Sequence, residues 1–139
     1  MPLLANDTDG AVTRKRLETW VAKEEKVTIV AATDAATVQT AADLAAGRVV
    51  YTMTPSTGRT LTTPTGALLG AAFTDEAVGS SFEFTVVNVA AATHAITLTA
   101  GASGVTLLGV AGMATVAAAS SATFVGVFTA ANTVSIYRK

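Results

Sequence analysis

The chain has 139 residues, with 10 acidic and 9 basic side chains, a formal net charge of -1, one histidine and no cysteine. This length fits one domain with an appendage, and the missing cysteines exclude a disulfide framework, a thiolate metal site and, with a single histidine, a His-based metal cage within one protomer. The charge balance excludes general electrostatic capture of nucleic acid or of an anionic membrane, both of which need a basic excess.

Met1 to Gly10 reads as an extended arm, in which Asp7, Asp9 and Gly10 supply turn chemistry and little is available to pack. It lacks a basic stretch followed by an apolar one, so no secretory signal is expected. From Ala11 to Lys26 the composition becomes charged, and Leu17, Trp20 and Val21 fall on one face of a short helix, with a strand through Leu17 to Val21 as the alternative. Residues 1–26 are therefore assigned to an N-terminal arm and 27–139 to a β-rich domain.

Lys26 to Ala32 is dense in β-branched residues and predicts a strand. Thr40 to Ala46 predicts a short helix stopped by Gly47, and Arg48 to Met53 a second strand ended by Thr54-Pro55. Arg59 to Thr63 predicts a third strand. Thr63-Pro64 then offers a hydroxyl cap and a residue with preset φ, so a two-turn helix is expected over Thr65 to Ala72, seated by Leu68, Leu69 and Phe73.

The clearest strand is Ser80 to Asn88, where Phe82, Phe84 and Val86 alternate with Glu83, Thr85 and Val87. Short strands follow at His94 to Ala100, Val105 to Leu108, Ala114 to Ala117, Ala122 to Phe128 and Val134 to Arg138. Gly101-Ala-Ser-Gly104 and Ala130-Ala-Asn132 read as hairpin loops. This spacing predicts a mainly β fold, an antiparallel sandwich or barrel-like domain with one or two short helices and no solenoid-length repeat. Val105 to Ala131 is uncharged and long enough to cross a bilayer as a helix, but Gly109, Gly112, Ser120, Ser121 and Gly126 interrupt it, so no membrane span is expected.

No catalytic constellation can be assembled, and neither an enzyme nor a cofactor is expected. His94 has no Asp or Glu within several residues and reads as structural. Asp75-Glu76 reads as a solvated loop pair, and Gly101 to Gly104, without a lysine or a following helix, is no phosphate cradle. Arg14, Lys15 and Arg16 with Trp20 form the one candidate binding element, a docking arm, with a solvated helix face as the alternative, since Glu18, Glu24 and Glu25 offset its field. Between Glu83 and Arg138 there is no charged residue at all. Sheet faces without Lys or Glu lack the usual protection against association, so an obligate oligomer is expected.

Three stretches carry a resemblance: Gly47 with Arg59-Thr-Leu-Thr-Thr-Pro-Thr65 before an Ala/Leu helix, Val78-Gly-Ser-Ser-Phe-Glu-Phe-Thr-Val-Val-Asn88, and Val134-Ser-Ile-Tyr-Arg138. Together they resemble the head decoration, or cement, proteins of tailed bacteriophages. The resemblance implies a homotrimeric structural virion protein, made in the host cytoplasm, on the capsid exterior. Its partner would be the major capsid protein, whose subunit contacts it would stabilise, with Arg14, Lys15, Arg16 and Trp20 as capsid-contact candidates and no direct contact with nucleic acid or membrane. Phage fibre and tail proteins use similar Thr/Gly/Ala strands, so a receptor-binding or adaptor module is the alternative.

Overall fold

The computed structural model describes residues 26–74 and 76–139. The arm through residue 25, and with it Arg14, Lys15, Arg16 and Trp20, lies outside the described residues, as does Asp75. The described chain runs β1 (Val27–Ala31), β2 (Thr37–Val38), α1 (Ala41–Ala45), β3 (Arg48–Met53), β4 (Arg59–Thr62), α2 (Gly66–Ala72), β5 (Ser81–Asn88), β6 (Ile96–Thr99), β7 (Val105–Leu108), β8 (Thr115–Val116), β9 (Ser120–Ala130) and β10 (Thr133–Arg138).

Alternating side chains sort these strands into two sheets with one core between them. The larger sheet has the order β1-β3-β5-β9-β10-β7 and the smaller one β2-β4-β6-β8. Val49, Tyr51, Phe84, Val86, Phe124 and Ile136 of the larger sheet meet Leu61, Ile96, Leu98 and Val116 of the smaller, all at most 2% exposed. A run of rings fills the middle, with Phe84 stacked on Phe124 at 5.4 Å and set edge-on to Tyr51 at 6.5 Å. The mainly β, sandwich-like expectation holds.

The sheets are mixed rather than antiparallel, which corrects the expected strand directions. β1, β3 and β5 run parallel to one another, as do β2, β4 and β6, and β7 runs parallel to β10. From β1 to β9 every connection carries the chain to the opposite sheet. Through β6 a strand's neighbour is then the strand two places along, running in the same direction, because two sheet changes restore the original heading, whereas β8 and β9 turn back to lie antiparallel to β6 and β5. The windings are unequal: Val27 pairs with Arg48, but Val49 pairs with Phe84. No regular period survives in the sequence for that reason.

This path separates two ends. The β2–β3, β4–β5 and β6–β7 connections, which return from the smaller to the larger sheet, carry α1, α2 and the Gly101–Gly104 link, and the β9–β10 turn joins them at that end. The Gly101–Gly104 segment therefore crosses between sheets and is not the expected hairpin loop, whereas Ala130 to Asn132 does turn an antiparallel pair. At the opposite end, Asp34 Oδ1 in the β1–β2 connection accepts hydrogen bonds from the Arg59 guanidinium at 2.7 Å and the Ser56 amide at 3.1 Å. The hydrogen bond from Arg59, followed by that from Ser56, holds the Asp34 carboxyl well below the usual carboxylate range.

Candidate interaction surface

The outward face of the six-stranded sheet follows directly from strand register. Ile29, Val50, Thr85 and Thr123 form one transverse row, and Ala31, Thr52, Val87 and Ser121 the next. A third row runs through Val125, Tyr137 and Leu108 on β9, β10 and β7. Ile29 is 70% exposed, on a strand that is an edge of the sheet among the described residues and carries no charge and no proline. The only carboxylate on these strands' outer face is Glu83, held by Lys139 at 3.3 Å. Across the middle, the Thr85 and Thr123 hydroxyls hydrogen-bond to each other at 2.9 Å, which occupies polar groups that would otherwise face water.

A cleft of about 460 Å³ opens at the helix-bearing end of this face. Leu44 of α1 and the aromatic pair Phe73 and Phe82, with ring centroids 5.2 Å apart, line its depth. Arg48, Glu83 and Val125, from the outer face, form its rim. A second concavity lies beside the Gly109–Met113 loop, where Val110 is 82% exposed next to Tyr137, Arg138 and Lys139. Both recesses thus border the same sheet face.

Sequence-predicted positions fall out as follows. His94 is half-buried on the β5–β6 connection, and its carbonyl accepts a hydrogen bond from the Asn88 amide at 2.8 Å. Glu76 is not a solvated loop carboxylate: its Oε1 accepts from the Asn132 backbone amide at 3.3 Å, and its Oε2 is buried. Leu69 is fully buried and Phe73 packs on Phe82 and Phe128, but Leu68 is 57% exposed and does not seat α2. Among the described residues, no three His, Asp or Glu side chains gather as metal ligands, and no helix is long and apolar enough to cross a membrane.

Buried polar atoms beneath α1 were not foreseen. Gln39 is 2% exposed, and among the described residues no protein group bonds its side-chain nitrogen or oxygen; the Tyr51 hydroxyl is likewise buried, beside the Thr40 backbone. Burial, reinforced by the Asp43 charge, pushes the Tyr51 phenol above its ordinary range. No family model, curated protein or solved structure matches this chain.

Proposed function

We propose that the chain is a structural virion protein that binds the outer surface of a phage capsid as a homotrimer and stabilises contacts between major capsid subunits. The observation that carries this reading is the outer face of the six-stranded sheet. It offers Ile29, Val50, Val87 and Val125 to a partner, with β1 as an uncharged edge. Such a face is suited to burial against other protein, since charge is depleted at the centre of interfaces. The resemblance supplies the capsid and the trimer.

In this reading the sheet faces associate among copies, and the arm carrying Arg14, Lys15, Arg16 and Trp20 reaches the neighbouring capsid subunits. Each copy adds a modest interface, and repetition over a shell converts modest affinities into tight retention. The receptor-binding alternative is less well supported, because the Gly101–Gly104 loop that would meet a host glycan is engaged at its ends. Gly101 lies against the Thr63 and Pro64 backbone, and Gly104 against Gly66 and Asn132.

The test is co-sedimentation of the purified full-length chain with empty phage heads that lack their own decoration. Saturable binding, with a plateau proportional to the number of capsid subunits, is the expected result. Arg14→Glu combined with Arg16→Glu should weaken it. A chain that stays in the supernatant at every concentration would overturn the capsid reading.

A further inference from the structure

Among the described residues, Gln39, Thr63 and Asn88 are polar side chains at most 2% exposed. The Asn88 amide donates to the His94 and Val116 carbonyls and accepts from the Ala90 amide. The Thr63 hydroxyl donates to the Pro64 carbonyl and accepts from the Gly101 amide. Gln39 differs: both of its side-chain polar atoms are buried, and no group of the described residues bonds either one. Folding takes such atoms out of bulk water, and leaving them without a partner costs more free energy than an ordinary hydrogen bond contributes.

The backbone explains where this amide points. Val38 is 65% exposed on the outer face of the smaller sheet, and the Gln39 backbone amide extends the β2–β4 pairing by donating to the Thr62 carbonyl at 2.8 Å. Alternation then turns the Gln39 side chain inward. From the facing sheet, Tyr51 of β3 crosses the core with its ring edge-on to Phe84, and its phenol ends beside the Thr40 backbone. Both side chains therefore bring polar atoms into the core at the β2–α1 junction, one from each sheet. Burial, and then the Asp43 charge, keep the phenol protonated. A backbone N–H beside it can only donate, so the phenol's own hydrogen still needs an acceptor.

What fits there must both donate and accept. The amide nitrogen and the phenol hydrogen call for acceptors, and the amide oxygen calls for a donor. An anion leaves the amide oxygen unmet, and a cation leaves the amide nitrogen unmet. Water serves both kinds of group, and a buried water typically makes about three such hydrogen bonds. We infer that the β2–α1 junction binds internal water, held by the Gln39 side-chain amide and the Tyr51 hydroxyl, as a polar bridge between the two sheets. This assignment does not depend on the capsid reading, because it concerns the interior of one chain.

A high-resolution crystal structure of the full-length chain should show ordered water within about 3.2 Å of the Gln39 amide and of the Tyr51 hydroxyl. In solution, oxygen-17 relaxation dispersion should register long-lived internal water that is lost when Gln39→Met is combined with Tyr51→Phe, substitutions that keep the side-chain length and the ring. Each single substitution removes one end of the bridge and should lower the urea midpoint. The double variant, with neither polar group left to satisfy, should unfold no earlier than the less stable single one. A direct bond between the Gln39 amide and the Tyr51 hydroxyl would give the same midpoints, but with no water in the crystal and no loss of dispersion, and it overturns the inference. So does an ion, or another protein group, found in that place. Midpoint losses that simply add show that the two side chains share no bridge, and overturn it as well. The crystal of the unaltered chain decides the matter even where a variant does not fold.

Discussion

At the end of β5, Asn88 is 1% exposed and uses its whole amide. Its nitrogen donates to the carbonyls of His94 at 2.8 Å and Val116 at 3.0 Å, and its oxygen accepts from the Ala90 amide at 3.1 Å. One side chain thus closes the β5–β6 connection on itself and ties it to β8. Replacing it with alanine leaves buried backbone groups without partners, each costing about 1–3 kcal/mol. Asn88→Ala should therefore lower the unfolding free energy by about 3 kcal/mol, seen as an earlier urea midpoint at an unchanged slope. A loss below about 1 kcal/mol would mean that water replaces the amide at little cost. Nothing in the sequence announced this role. Asn88 reads as the last residue of an alternating strand, and a partner such as Val116 is fixed by the fold, not by spacing.

Helix α2 shows what local reading recovers and where it stops. A hydroxyl followed by proline at Thr63-Pro64 signalled a helix start, and a helix is there, but the cap is Thr65, whose Oγ accepts from the Leu68 amide at 3.3 Å. Thr63 is buried, and its hydroxyl instead accepts from the Gly101 amide at 2.8 Å, a tertiary claim that no local pattern encodes. Glycine inside a helix costs about 1 kcal/mol relative to alanine, yet α2 keeps Gly66 and Gly70. The reason is the β9–β10 turn. A Cβ on Gly66 would stand 2.7 Å from the Gly104 carbonyl oxygen and closer still to that of Asn132, and one on Gly70 would strike the Asn132 side chain. Gly66→Ala should thus destabilise the fold by about 3 kcal/mol despite its better helix propensity, measurable as a fall in thermal midpoint. A rise would show that α2 can lift from the turn without loss. Strand alternation was legible because period two is the same for every pairing direction. For the same reason it said nothing of the parallel pairs, which the helices and sheet changes between strands determine.

For the whole molecule, the question is what covers the six-stranded sheet. Six strands at about 4.8 Å spacing make a face nearly 30 Å wide, and its centre holds Val50, Thr85, Val87 and Thr123 with no charge among them. The long uncharged run after Glu83 was legible as a surface without the usual protection, but which residues share the face needed the register. A lysine at the centre of that face would have to be desolvated in any association, whereas on an isolated molecule its flexible stem reaches water at little cost. Val50→Lys and Val87→Lys should therefore separate association from folding. Light scattering on the unaltered chain should give the mass of a homotrimer, and each variant should shift it toward the monomer while the thermal midpoint at low concentration stays close to the parent's. If the parent is already a monomer at every concentration, the uncharged face is an intrinsic solvent surface kept soluble by threonine and serine. If instead the variants stay trimeric, association uses another surface, and the exposed Val110 loop beside Tyr137 becomes the next place to introduce a charge.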